Sequence, residues 1–368
     1  MPCPIILANA GTPLMWASML HMLIGNAVLG AIEARILTQF FKAPAGKTMG
    51  LMIPANYVSA FLGSFLINTT LVQSVPLNLY NAWRFIWLMV AAMYYLTLAI
   101  EWPFIAFAFR GTSRALRKSI ISSLTVQTAT YVPLFLWYYL ASGVSLYTTM
   151  NIVPLSDISL PQNVHLYYIS PTDGSVKSRS LTNPPEQTLF DLKSRNKDDR
   201  LFVQKSPDNP TTWDLFARLE TEQYDKPNLV LISKSFTTSA APDFRSTIDK
   251  PSIGSTDMNF GPAASFASAH PGPWYFSSGY WPVEGLFASN STTDARFAFS
   301  LETPFAAWRI RNATHLPSDH LIFQLGDNQI CILDPATKRI ALITQARGPI
   351  VTLTTPTSTR PAITRPTE

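Results

Sequence analysis

Residues 109–119, FRGTSRALRKS, set four cations, Arg110, Arg114, Arg117 and Lys118, between two long apolar runs. Hydrocarbon excludes such a cluster, and positive loops are retained on the cytoplasmic side of a membrane. The flanking runs therefore read as transmembrane helices, one entering the cytoplasm and one leaving it. Everything after Tyr147 is then expected outside.

The rest of the N-terminal part agrees with this reading. Met1 to Ile32 contains no Asp, Glu, Lys or Arg, and from Pro13 it is long enough to cross a bilayer. It lacks the positive n-region of a signal peptide and overruns the usual h-region. Four spans are predicted, at about 13–34, 50–72, 85–109 and 119–147. The first connecting loop carries Arg35, Lys42 and Lys47, the second only Arg84, and the third the four cations above. Positive loops alternate with a nearly neutral one, so both termini are expected outside the cytoplasm.

Of the 28 Lys and Arg and 23 Asp and Glu, eight cations and two acids precede Tyr147, leaving 20 and 21 after it. The basic surplus belongs to the membrane loops. The second half has none to pair with phosphates, which argues against a nucleic-acid partner. The expected partners are the lipid bilayer and other membrane or envelope proteins.

From residue 149 to 353 short β-like runs alternate with Pro, Gly, Asn and Asp. Val164–Ile169 and Val176–Leu181 flank Pro171-Thr172-Asp173-Gly174, and Gln329–Leu333 and Arg339–Thr344 flank Asp334-Pro335-Ala336-Thr337. Both read as hairpins, and the stretch ICILDPATKRIALI resembles one blade of a β-propeller. The fold class expected is an α-helical membrane bundle of four transmembrane helices followed by an all-β extracytoplasmic domain, either a sandwich or an irregular, propeller-like one. Residues 354–368, rich in Thr and Pro without an apolar face, are expected to be disordered.

The chain shows no catalytic motif of the G-x-S-x-G, H-E-x-x-H, C-x-x-C or phosphate-loop kind. No catalytic residue, metal site or cofactor is assigned. The two cysteines, Cys3 and Cys331, have no metal-ligand spacing. Cys331 reads as a buried strand residue.

Ionisable and amide groups inside the spans are the main candidates, because hydrocarbon leaves them unsatisfied unless they meet one another. With a core ~30 Å thick and ~1.5 Å per residue, Asn26 lies ~12 Å from the inner face, Asn56 and Gln127 ~10 Å, and Glu101 ~6 Å. These four are predicted to form one polar cluster drawn from four helices. Glu33 is placed at the cytoplasmic interface, where it and Glu101 could pair with Arg35, Arg110 or Arg114. His21 lies deeper, bonded to a neighbouring helix. Outside the membrane, Trp274, Tyr275, Phe276, Tyr280 and Trp281 crowd between prolines and glycines. Exposed, they would form a binding surface; buried, they are a core corner. These features support a membrane-anchored protein whose β domain binds, senses or scaffolds a partner. The alternatives are a transporter or proton-conducting subunit that uses the polar half of the bundle and, third, a membrane enzyme.

Overall fold

The computed structural model describes residues 13–70, 77–143, 145–182, 185–209, 211–219, 228–236, 238, 261–266, 272–279, 285–303 and 306–353. The chain forms two compact units. The helical unit comprises Met1–Ile152, Gly279–Gly285 and Ala298–Trp308; the β unit comprises Val153–Ser278, Leu286–Phe297 and Arg309–Glu368. Long apolar helices precede a region of all-β sheets, as the sequence implies. Two short segments that read as part of the β domain belong to the helical unit instead.

In the helical unit, α1 (Pro13–Leu20) passes through a π-helical turn (His21–Gly25) into α2 (Asn26–Phe41) without leaving right-handed helical geometry. Then come α3 (Ala45–Thr70), α4 (Ala82–Ala108), α5 (Ala115–Ala141) and a single turn, α6 (Leu146–Thr149). Four stretches are long and apolar enough to cross a membrane: Ala17–Phe41, Ala45–Leu66, Ala82–Ala108 and Ala115–Ala141. The first reaches Phe41 rather than ending near residue 34. Arg35 is exposed on the flank of the helix, where a long side chain can keep its charge outside hydrocarbon. The helix stops only at Lys42, in the left-handed conformation with φ 58°, before Pro44. The loops are correspondingly shorter than their charges suggest, with Lys47, Arg117 and Lys118 in first turns of α3 and α5.

The unit is inverted relative to a water-soluble bundle. Leu23, Phe61, Phe65, Leu88 and Leu140 are exposed, while Asn26, Glu33, Asn56, Glu101 and Gln127 are buried. An apolar outside around a polar inside suits a lipid solvent. Lys47 Nζ donates to Phe107 O at 2.7 Å and lies 4.5 Å from that ring's centroid, so the first turn of α3 lies against the last turn of α4.

The strands β1 (Val164–Ile169), β2 (Val176–Ser180) and β3 (Gln187–Phe190) form a meander, as do β4 (Arg200–Lys205), β5 (Trp213–Leu219) and β6 (Asn228–Phe236). Next come β7 (Trp274–Gly279), β8 (Gly285–Asn290) and β9 (Arg296–Phe299), then the hairpin β10 (Leu301–Thr303) and β11 (Ala306–Trp308). A last meander, β12 (Ile310–His315), β13 (Leu321–Leu325), β14 (Gln329–Asp334) and β15 (Arg339–Gln345), precedes β16 (Arg347–Leu353), which returns to pair with β1. Both expected hairpins form. In the first turn Gly174 has φ 69°, and a Cβ there would lie 2.3 Å from Ser194 O, so only glycine fits.

The sheet β16–β1–β2–β3 is apolar on both faces. Val164, Leu166, Tyr168 and Val351 pack against Ile322, Ile330, Ile332 and Ala341 of the β12–β15 sheet. Ile169, Val176 and Ile350 pack against Leu201, Val203, Leu215 and Ala217 of the β4–β6 sheet. A two-layer sandwich would leave the outer face of each sheet to water. Here the sheet is covered on both faces, and the last strand pairs with the first. Cys331 is a free, fully buried thiol on β14; Cys3 and residues 354–368 lie outside the described residues.

Of the two readings of the aromatic stretch, Trp274 and Phe276 follow the buried one. Trp274 and Phe276 are buried and stacked, with centroids 6.2 Å apart, and Phe276 meets His315 edge-on at 4.8 Å. Alternation along β7 turns these two inward and leaves Tyr275 exposed. Tyr280 and Trp281 lie outside the described residues.

Candidate functional site: a carboxylate clasp below a cavity in the helical unit

Two carboxylates sit at the centre of the helical unit. Glu33 on α2 is 1% exposed and Glu101 on α4 is 0% exposed. Each receives one hydrogen bond from α3 and one from α5. Asn56 Nδ2 donates to Glu33 Oε2 at 2.5 Å, and Thr130 Oγ1 to Glu33 Oε1 at 2.9 Å. Ser59 Oγ donates to Glu101 Oε1 at 2.5 Å, and Gln127 Nε2 to Glu101 Oε2. The donors come in pairs three residues apart, Asn56 with Ser59 and Gln127 with Thr130, a spacing that puts both members on one helix face. Within their own helices Ser59 Oγ also lies 3.0 Å from Asn56 O and Thr130 Oγ1 3.2 Å from Gln127 O, alternative acceptors for the single proton of each hydroxyl.

Every donor in this clasp is uncharged. Among the described residues neither carboxylate is paired with a Lys or Arg, contrary to the interfacial ion pairs read from the sequence. The reason is helix length: α2 runs seven residues past its expected end, about 10 Å at 1.5 Å per residue. That carries Glu33 from the interface into the interior.

Of the four residues grouped from the sequence, Asn56, Glu101 and Gln127 join in the clasp, while Asn26 lines the same cavity and takes no part in the clasp's hydrogen bonds. Asn26 lies about two turns away along the helix from Glu33, with its Nδ2 3.5 Å from Met22 O. His21 Nδ1 is 2.7 Å from Tyr138 Oη on α5, the neighbouring-helix bond expected of it. Glu33, set apart by sequence reasoning, is a full member of the clasp. Ser59 and Thr130 escape that reasoning as site residues; their signal is the spacing to Asn56 and Gln127.

The clasp floors a cavity of about 520 Å³, whose wall rises through Ala60, Thr97, Tyr131 and Leu134 toward Trp87 and Trp308. The walls are mostly apolar and aromatic. Trp308 belongs to β11, and its neighbouring segment is tied to the helices by a hydrogen bond from Leu146 N to Ser300 O at 2.7 Å. In the other direction the bundle is closed. One turn beyond the clasp, Leu37, Met52, Ile105 and Val126 are fully buried in an apolar cluster with Phe109. The cavity therefore ends at the carboxylates.

Such a pocket can hold a drug-sized apolar molecule against a few fixed polar groups. Among the described residues no three His, Cys, Asp or Glu side chains gather to hold a metal ion. Compared with protein-family models, curated proteins and solved structures, the chain matches none of them.

Proposed function

We propose that this protein is a multi-pass membrane receptor whose helical bundle takes up a small lipophilic molecule and whose β unit, outside the cytoplasm, meets a partner in the envelope. The observation that carries the reading is the cavity, with its apolar aromatic wall and hydrogen-bonded polar floor. Its size lies within the ~300–1,000 Å³ of small-molecule sites. A continuous conduction path is disfavoured by the apolar cluster around Leu37, Met52 and Ile105. The sensing role draws on chain connectivity, since Trp308 lines the cavity and the next residue, Arg309, begins a segment of the β unit. The outward placement of the β unit rests on the distribution of loop cations.

A proton-coupled carrier is the second reading, favoured by two buried carboxylates with no cationic partner. Burying such groups is costly unless they are paired or neutral.

Native mass spectrometry of the protein extracted in mild detergent tests the first reading. A co-purifying small molecule is expected on the wild type and not on Ala60→Trp, which fills the cavity from its wall. Identical, ligand-free spectra from both, with extraction into native nanodiscs giving the same result, would refute it.

A further inference from the structure

We infer that the cavity selects a lipophilic organic cation: an amine on an apolar, aromatic-bearing body, with its ammonium group at the clasp. This rests on the reading of the cavity as a ligand site and adds its chemistry. Glu33 and Glu101 present carboxylate oxygens among donors that are all neutral, Asn56, Ser59, Gln127 and Thr130. Among the described residues none supplies a countercharge there. A ligand ammonium supplies it, and charge-assisted N–H to carboxylate bonds are about twice as strong as neutral ones.

The walls agree with the floor. Tyr131 stands directly above the clasp, with its hydroxyl 2.9 Å from Thr97 Oγ1, and Trp83, Trp87 and Trp308 line the part furthest from the carboxylates. The Tyr131 ring is the one placed to attract the ammonium, while the distant tryptophans meet only the apolar body of the ligand. An anionic ligand would meet two carboxylates at the closed end. A neutral one would leave the acids protonated and gain no charge-assisted bond. The apolar cluster beyond the clasp holds no group that could take this role.

The test uses the full chain in zwitterionic nanodiscs and three probes that share one body: phenylbutylamine, phenylbutanol and phenylbutyrate. Binding is read as the concentration-dependent rise in unfolding temperature, with empty nanodiscs as the blank. The amine should bind at least about tenfold more tightly than the alcohol, a difference of ~1.4 kcal/mol, and the butyrate least. Glu33→Gln, Glu101→Gln and the double variant should abolish the preference for the amine while retaining alcohol binding. If the double variant does not fold, the wild-type ranking of the three probes decides alone. Equal binding of amine and alcohol, or tighter binding of the butyrate, overturns cation selection and leaves a ligand cavity. Failure of all three probes to bind overturns this inference, and an Ala60→Trp protein that co-purifies with the same small molecule as wild type would overturn the receptor reading separately.

Discussion

Gly30 marks a close approach of α2 to α3: a Cβ built there would lie 2.7 Å from Ile53 Cα and 2.8 Å from Met52 O. Both obstacles are backbone, so the helices would have to separate. Gly30→Ala is expected to destabilise the bundle by ~1–3 kcal/mol, the usual cost of overpacking. Gly50, where an added methyl would meet nothing within 4 Å, is the control, since alanine there gains helix propensity of up to ~1 kcal/mol. Denaturant unfolding in detergent should therefore separate the two glycines in sign. The clasp gives a second comparison. Glu101→Leu strands the Gln127 amide in a buried site and should cost ~1–3 kcal/mol, whereas Glu101→Gln keeps an acceptor and should cost less. Equal losses would mean that the hydrogen bonds contribute nothing particular. Asn56, Glu101 and Gln127 were legible in the sequence because a polar group deep in an apolar run has few ways to be satisfied. Glu33 was misplaced because depth was counted from a helix end inferred from charge, and a flexible arginine such as Arg35 does not mark that end.

Among the elements, the β16–β1–β2–β3 sheet is the one on which the β unit depends. Leu166 and Ile169 lie on its opposite faces, both fully buried, so Leu166→Ala and Ile169→Ala should each cost ~2–5 kcal/mol. Against a two-layer arrangement, only one of them would. His315 on β12 gives this unit a pH dependence. Burial lowers its pKa below the ordinary value, with Asp319 at 3.3 Å opposing the shift. The unfolded chain then binds the extra proton first, so the stability from this group is present above about pH 6.5 and is lost as pH falls below it. His165 is shifted the same way by burial and adds to the effect. Pulsed labelling of Cys331 in a Cys3→Ser background, normalised to the unfolded rate, should rise as pH falls below this point. His315→Gln should flatten the rise in part, and an unchanged profile would assign it to other groups. The hairpins were readable because Pro, Asp and Gly at turns act locally. The order of the sheets was not, since β16 finds β1 across most of the unit's sequence and no local signal encodes that pairing. The aromatic stretch was ambiguous for the same reason: alternation along β7 is visible, but which face meets a neighbouring sheet is decided by distant residues.

For the whole molecule, the sequence carried the division into helices and sheets, because a bilayer and water demand opposite surfaces. It did not carry the return of Ala298–Trp308 to the helical unit, which depends on tertiary contacts such as that of Leu146 with Ser300. Reporters fused after Lys47 and Lys118 should read cytoplasmic, and those after Thr148 and at the C terminus should read extracytoplasmic. A cytoplasmic reading at the C terminus alone would move the β unit to the other side and remove the envelope partner from the proposal. The claim on which the rest depends is that a molecule enters the bundle, and photolabelling of the full-length protein in native membranes tests it most directly. A lipophilic diazirine probe should modify wall residues such as Ala60, Met93 and Leu134, with labelling lost in Ala60→Trp and competed by the unlabelled parent compound. Modification confined to outward-facing residues such as Phe61, Leu88 and Leu140, unaffected by Ala60→Trp, would contradict it.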